Sequence, residues 1–199
     1  MELTSKGTGN ILKALLTIGI VLSGVLVFTS FFEIYYNDLF ERSLVRIDRI
    51  VASVYLIIWV ISAITYLIWI FKVHRDLRNF HSNYPITSGG ALARILIPIY
   101  NIFGLWNVFS TIGNYLRERT NTAKHANIIL TLIPYYYILY WLTNILNRLI
   151  SNEQVINIHV IMSSYVLDTV LMVVYLYMTK YIFESLQIIN NETTSNNNS

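Results

Sequence analysis

The residue in this chain that most needs a chemical explanation is an aspartate. Asp168 lies about ten residues into the apolar run Ile158–Met178. At about 1.5 Å of rise per residue, that is near the middle of a bilayer. An ionised carboxylate there costs on the order of 3 kcal/mol on insertion scales. It must face other helices, take up a proton, or find partners. Counting rises along the other apolar runs puts Ser23, Ser62, Thr65, Tyr137 and Tyr140 at comparable depth. Their hydroxyls form a candidate polar layer around the carboxyl. Two readings stay open: a proton or cation site of a small transporter or channel component, or a hydrogen-bonded carboxyl that fixes helix packing. His159 is nine residues away and out of phase, so it is no same-face partner.

Positive charge is the second feature. Lys72, Arg75, Arg78, Arg94, Arg117, Arg119 and Lys124 fall in the polar segments of the central region. Such a cluster suits anionic lipid headgroups or an acidic membrane-protein partner. It is also what the topology signal of a membrane protein looks like. Nucleic acid is not an expected partner, because no soluble basic domain is present. His74 and His81 sit among these cations, where a metal ion is poorly placed, and they read as part of a basic headgroup-level patch.

Other chemistry is hard to find. The sequence has no His-Glu-x-x-His, no Gly-x-Ser-x-Gly, no phosphate-binding P-loop and no complete Gly-x-Gly-x-x-Gly. It has no cysteine, which removes thiolate nucleophiles, disulfides and Cys-ligated zinc. No catalytic residue, cofactor or metal site is expected, and the chain is not expected to be an enzyme.

The elements that must carry these residues are membrane helices. Hydrophobic residues make up 55% of the 199, charged residues 13%, and the mean hydropathy is +0.52. That is too little charge for a soluble domain of this size. Four apolar runs are long enough to cross a bilayer, at about 11–32, 51–71, 126–147 and 158–178. The first is too long for a signal-peptide core and reads as a retained span. Lys13 at its start can snorkel to the headgroups, and Ser23 and Gly24 offer close helix packing. Residues 33–50 read as an amphipathic run-in with Asp38 and Arg42 paired at i,i+4. Tyr55, Ser62, Tyr66 and Trp69 follow one side of the second span, with Trp69 as an interfacial anchor. The loop Ser151–Asn157 joins the last two spans, and the polar tail 184–199 is expected to be disordered.

The segment 92–116 is different. Arg94, Asn101, Gly104, Asn107, Thr111, Asn114 and Glu118 recur every three or four residues on an otherwise apolar helix. Such a helix lies in the interface, dips in and returns, or lines a polar interior. Pro98 suits the start of a helix, and Gly89 and Gly90 suit the turn before it. Basic residues favour a segment that does not cross. Lys6, Lys13, Lys72, Arg75, Arg78, Arg94, Arg117, Arg119, Lys124 and Lys180 then share one side, ten against the four of Arg42, Arg46, Arg49 and Arg148. The positive-inside rule places that side, with both termini, in the cytoplasm.

Trp69, Lys72, Leu77, Gly89 or Gly90, Pro98 and Asn101 also carry a resemblance. The central stretch resembles an uncharacterised family of bacterial integral membrane proteins, a domain of unknown function with four predicted helices. The order of elements matches over roughly 10–183. Asp76 stands where that pattern has asparagine, Phe71 replaces a basic residue, and Gly104-Leu105 replaces Arg-Pro. The resemblance implies the topology and a bacterial cytoplasmic membrane, and no activity. The expectation is thus an all-α polytopic membrane protein, one domain over 1–183, with four transmembrane helices plus one amphipathic interfacial or re-entrant helix. Its leading expected role is binding of lipid or a partner, with the transporter or channel component as the alternative.

Overall fold

A computed structural model describes residues 3–152 and 157–197. The described residues are mostly helical, with no strand among them. α1 spans Lys6–Tyr35; a short turn, α2 (Asn37–Leu39), and a π-helical turn at Phe40–Leu44 lead into α3, Val45–Phe80. α4 (Ser88–Leu96) and α5 (Pro98–Arg117) follow, then α6 (Ala123–Asn152) and α7 (Ile158–Asn197). Among the described residues four helices are long and apolar enough to cross a membrane, and they contain the four expected spans. The protein is an all-α polytopic membrane protein. The loop between α6 and α7 lies largely outside the described residues, as do 198–199.

The helices form a ring. α1 packs between α3 and α7, α7 between α1 and α6, α6 against α5, and α4 bridges α5 back to α3. Cross-links at both ends fix α1 antiparallel to its neighbours. Thr4 meets Asp76 at one end of α3, and Thr29 meets Asp48 at the other. Lys13 sits over the Phe183 ring at 4.3 Å, while Thr169 donates to Ser23 Oγ at 2.8 Å. α3 and α7 therefore run parallel, and both chain ends emerge on one face, called here the terminal face.

The amphipathic segment is two helices, not one. The chain breaks at Ile97, whose extended ψ of 119° ends α4, and Pro98 opens α5. Proline at that position gives up no intrahelical donor, so it starts a helix at no hydrogen-bond cost. α4 begins with a cap, in which Thr87 Oγ1 accepts the Gly90 N–H at 3.0 Å. α4 and α5 pack as a hairpin, and a Cβ on Gly104 would collide with the Arg94 carbonyl oxygen. Only glycine lets the two backbones approach so closely.

The hairpin is re-entrant, and it reaches deep. α5 runs alongside α6, with Phe109 edge-on to Tyr136 and Asn101 Nδ2 donating to the Tyr140 hydroxyl at 3.0 Å. α6 continues twelve residues beyond Tyr140 (152 − 140), about 18 Å further. The tip at Ile97–Pro98 therefore stops well inside the bundle, and Arg117 returns the chain to the terminal face. Arg94, near the tip, turns back one helical turn so that Nη1 donates to the Gly90 carbonyl at 3.3 Å. That is the snorkelling a long basic side chain uses at depth.

Several local expectations need correction. The segment 184–199 is not a disordered tail through its described part: α7 continues to Asn197, with Leu186 and Ile189 fully buried and Asn121 donating to the Glu192 carboxylate. The apolar residues spaced along that helix bury against the bundle, and composition alone hid them. Trp69 is no interfacial anchor. It is buried against Gly9, because the start of α1 covers it. Gly24 has open space around it, and Gly19, against Met172, makes the close helix contact instead. Asp38 and Arg42 do not pair: among the described residues the ion pairs are His125–Glu184 and Lys180–Glu184.

Candidate functional site

The ring of helices encloses a cavity of about 280 Å³. Asp168 of α7 lines it and is 7% exposed. Tyr55 of α3 donates its hydroxyl hydrogen to Asp168 Oδ2 at 3.1 Å. α3 and α7 run parallel, and this bond places Tyr55 and Asp168 level in the bundle. Tyr165, one turn before Asp168, stacks edge-on against Tyr55 at 6.1 Å and holds its ring.

The remaining walls come from every large element. α3 contributes Trp59, Ser62, Ala63 and Tyr66, and α6 contributes Tyr140, Thr143, Asn144 and Asn147. Leu12 and Leu16 of α1 and Leu171, Met172 and Tyr175 of α7 add mostly apolar surface. The hairpin closes one side with Ile95 and Leu105. Two polar atoms here have no partner, the Tyr66 hydroxyl and Thr143 Oγ1, although the residues are only 8% and 6% exposed. Burying a hydroxyl without a hydrogen bond is unfavourable by a few kcal/mol, roughly 1–3. Asn147 is satisfied, accepting from Ser164 Oγ at 2.9 Å. Tyr136 and Tyr175 share a hydroxyl–hydroxyl bond behind the cavity wall.

Of the residues expected around Asp168, Ser62 and Tyr140 do line this cavity. Ser23 bonds Thr169 on the α1 side of α7, adjacent to the carboxyl but outside the cavity lining. Thr65 turns outward and returns its hydroxyl to the Ile61 carbonyl. Tyr137 faces the hairpin and donates to the Ile102 carbonyl. Tyr55 stood in the sequence as part of the stripe with Ser62 and Tyr66. Its partnership with Asp168 is a long-range contact between α3 and α7 that no local pattern marks.

The basic residues do not share one setting. Lys72 Nζ donates to Thr8 Oγ1 at 2.6 Å, and Arg75 Nε to Thr4 Oγ1 at 3.2 Å, so both tie α3 to the start of α1. Arg94 is held in the hairpin, and Arg119 lies over the Tyr115 ring at 5.3 Å. Arg78 and Arg117 are exposed. His74 is not in a headgroup-level patch either. It is fully buried, 5.5 Å from the Tyr84 ring, with neither ring nitrogen partnered.

The central motif is a structural clamp. Asp76, fully buried, accepts from Thr4 N at 3.1 Å, Thr4 Oγ1 at 2.6 Å and Ser5 N at 2.9 Å. A carboxylate on the free N–H groups at a helix start stabilises that end by hydrogen bonding and by the helix dipole. Gly89 is open and Gly90 approaches the Thr87 cap. Pro98 starts α5, and Asn101 fastens it to Tyr140.

No family model, curated protein or solved structure matches the chain.

Proposed function

We propose that the protein is a small membrane carrier that binds a cation, or a group that takes up a proton, in its central cavity, with Asp168 as the negative charge. One observation supports this most: Asp168, the single mid-bundle carboxylate among the described residues, lines a cavity rather than being enclosed by packed side chains. A carboxyl retained only for packing gains most when its partners surround it, whereas an intramembrane acid beside a cavity is placed for a pathway. On this reading the chain has no bond-breaking chemistry, and the re-entrant hairpin is the wall that separates the cavity from the terminal face. The terminal face is cytoplasmic on the ten-to-four count of basic residues. Kinship with the uncharacterised bacterial family would make the clamp at Asp76 a local variant of a shared device.

The exposed Arg75, Arg78 and Arg117 on the terminal face favour contact with anionic headgroups as a secondary property. The carrier reading is tested in proteoliposomes with an imposed pH gradient and a trapped pH-sensitive dye. The wild type is expected to collapse the gradient faster than empty vesicles, and Asp168→Asn to return the rate to that of empty vesicles. A rate equal in wild type and Asp168→Asn would exclude it.

A further inference from the structure

The cavity has a mouth, and its position decides what can enter. Trp59 is 46% exposed although it lines the cavity, and Ala63, one turn on, is exposed as well. Asn147 of α6 is exposed as well, further toward the face opposite the terminal one, where it meets Ser164. The hairpin, which bridges α3 and α6 nearer the terminal face, stops at the depth of Tyr140. Trp59 and Ala63 lie in the middle of the apolar run Val51–Phe71, at hydrocarbon depth. The opening therefore faces acyl chains, and a molecule using it must first dissolve in the bilayer.

The interior asks for a different chemistry from the mouth. One carboxylate, Asp168, supplies a charge. Tyr66, Tyr140, Tyr175 and Trp59 bring aromatic rings, which attract cations through their faces. Leucines, Ile95 and Met172 make up much of the rest. A hard metal ion wants six or more oxygens in place of apolar walls. The volume of about 280 Å³ falls just under that of drug-sized sites, so the guest is small.

We propose that the cavity takes a lipophilic amine, a cationic nitrogen on a short apolar body, which enters sideways from the hydrocarbon layer between α3 and α6. The nitrogen pairs with Asp168 opposite the Tyr55 bond, and the body lies along Leu171 and Met172. Loss of the ring–cation and carboxylate contacts explains why a neutral molecule of the same shape would be held less well.

This inference rests on the reading of the cavity as a cation site. Its test is binding to the full chain in nanodiscs of zwitterionic lipid, by calorimetry, of hexylamine and of hexanol. Hexylamine is expected to bind about tenfold more tightly than hexanol, and Asp168→Asn to erase that difference. The amine-to-alcohol comparison is made on the wild-type chain, so it does not depend on the variant folding. Ala63→Trp adds bulk on a lipid-facing surface and is expected to slow association of the amine about fivefold with unchanged thermal stability. Equal binding of amine and alcohol, or an amine preference that survives Asp168→Asn, overturns the inference. If that happens while Asp168-dependent collapse of the pH gradient persists, the carrier reading stands and only the guest is wrong. Loss of both removes the two together. An unchanged association rate in Ala63→Trp overturns the lateral route.

Discussion

Tyr55 and Asp168 meet across the bundle at 3.1 Å, with the phenol donating and the carboxyl accepting. The bond joins two helices that otherwise touch little, since α1 stands between them along most of their length. Tyr55→Phe removes the donor and keeps the ring against Tyr165. The expected loss is about 1 kcal/mol of stability in detergent, in the range of interhelical bonds in membrane proteins. Asp168→Asn retains an acceptor and should lose less, whereas Asp168→Leu should lose at least as much as Tyr55→Phe. Thermal unfolding of the three variants checks the order, and three equal values would mean the bond contributes nothing.

The clamp at the start of α1 makes a separate prediction. Asp76→Ala strips three hydrogen bonds from Thr4 and Ser5, and leaves buried N–H groups unpaired. The expected cost is about 2 kcal/mol, the upper end for a helix cap. Hydrogen exchange should rise at residues 4–9 first. Protection there equal to wild type would show that the cap is replaced by other acceptors.

Two glycines should behave in opposite ways. Gly104→Ala places a methyl group against the Arg94 carbonyl oxygen and should splay the hairpin, with a loss of about 2 kcal/mol or more. Gly24→Ala has open space and a helical backbone, so it should be neutral or stabilising by up to about 1 kcal/mol. Unfolding midpoints of the two variants in detergent decide it, and a tolerated Gly104→Ala would contradict the tight α4–α5 packing.

Topology can be read in the cysteine-free background. Single cysteines replacing Asn121 and Lys6 should label from one side of sealed vesicles, and a cysteine replacing Asp38 from the other. The terminal face should prove to be the cytoplasmic one. Labelling of positions 6 and 121 from opposite sides would mean that the hairpin crosses fully.

The spans were legible because length and apolarity alone define them, and Asp168 was legible because a carboxylate inside such a run has few explanations. The split at Ile97 was not, since Pro98 marks a helix start equally well at an interface or at a buried tip. What distinguishes the two is the contact of Gly104 with Arg94, a long-range approach that no local pattern encodes. The helical continuation of α7 was obscured by a composition of Asn, Glu, Thr and Ser, while Leu186 and Ile189 were already spaced to pack. The cavity is the least legible feature of all. It arises where six helices fail to fill the space between them, and its polar lining is drawn from residues far apart in the chain.

The account turns on Asp168 being a carboxyl that faces a cavity reached from the hydrocarbon layer. Carbodiimides test this directly, because they add to a protonated carboxyl and leave a stable acylurea that mass spectrometry locates. Dicyclohexylcarbodiimide, which dissolves in the bilayer, is expected to modify Asp168 in proteoliposomes, and a water-soluble carbodiimide is not. N,N-dimethylhexylamine, a tertiary amine that cannot be coupled to the activated carboxyl, should protect the residue when present during the reaction, and Ala63→Trp should slow the modification. An unmodified Asp168, or equal modification by the two reagents, would contradict the account.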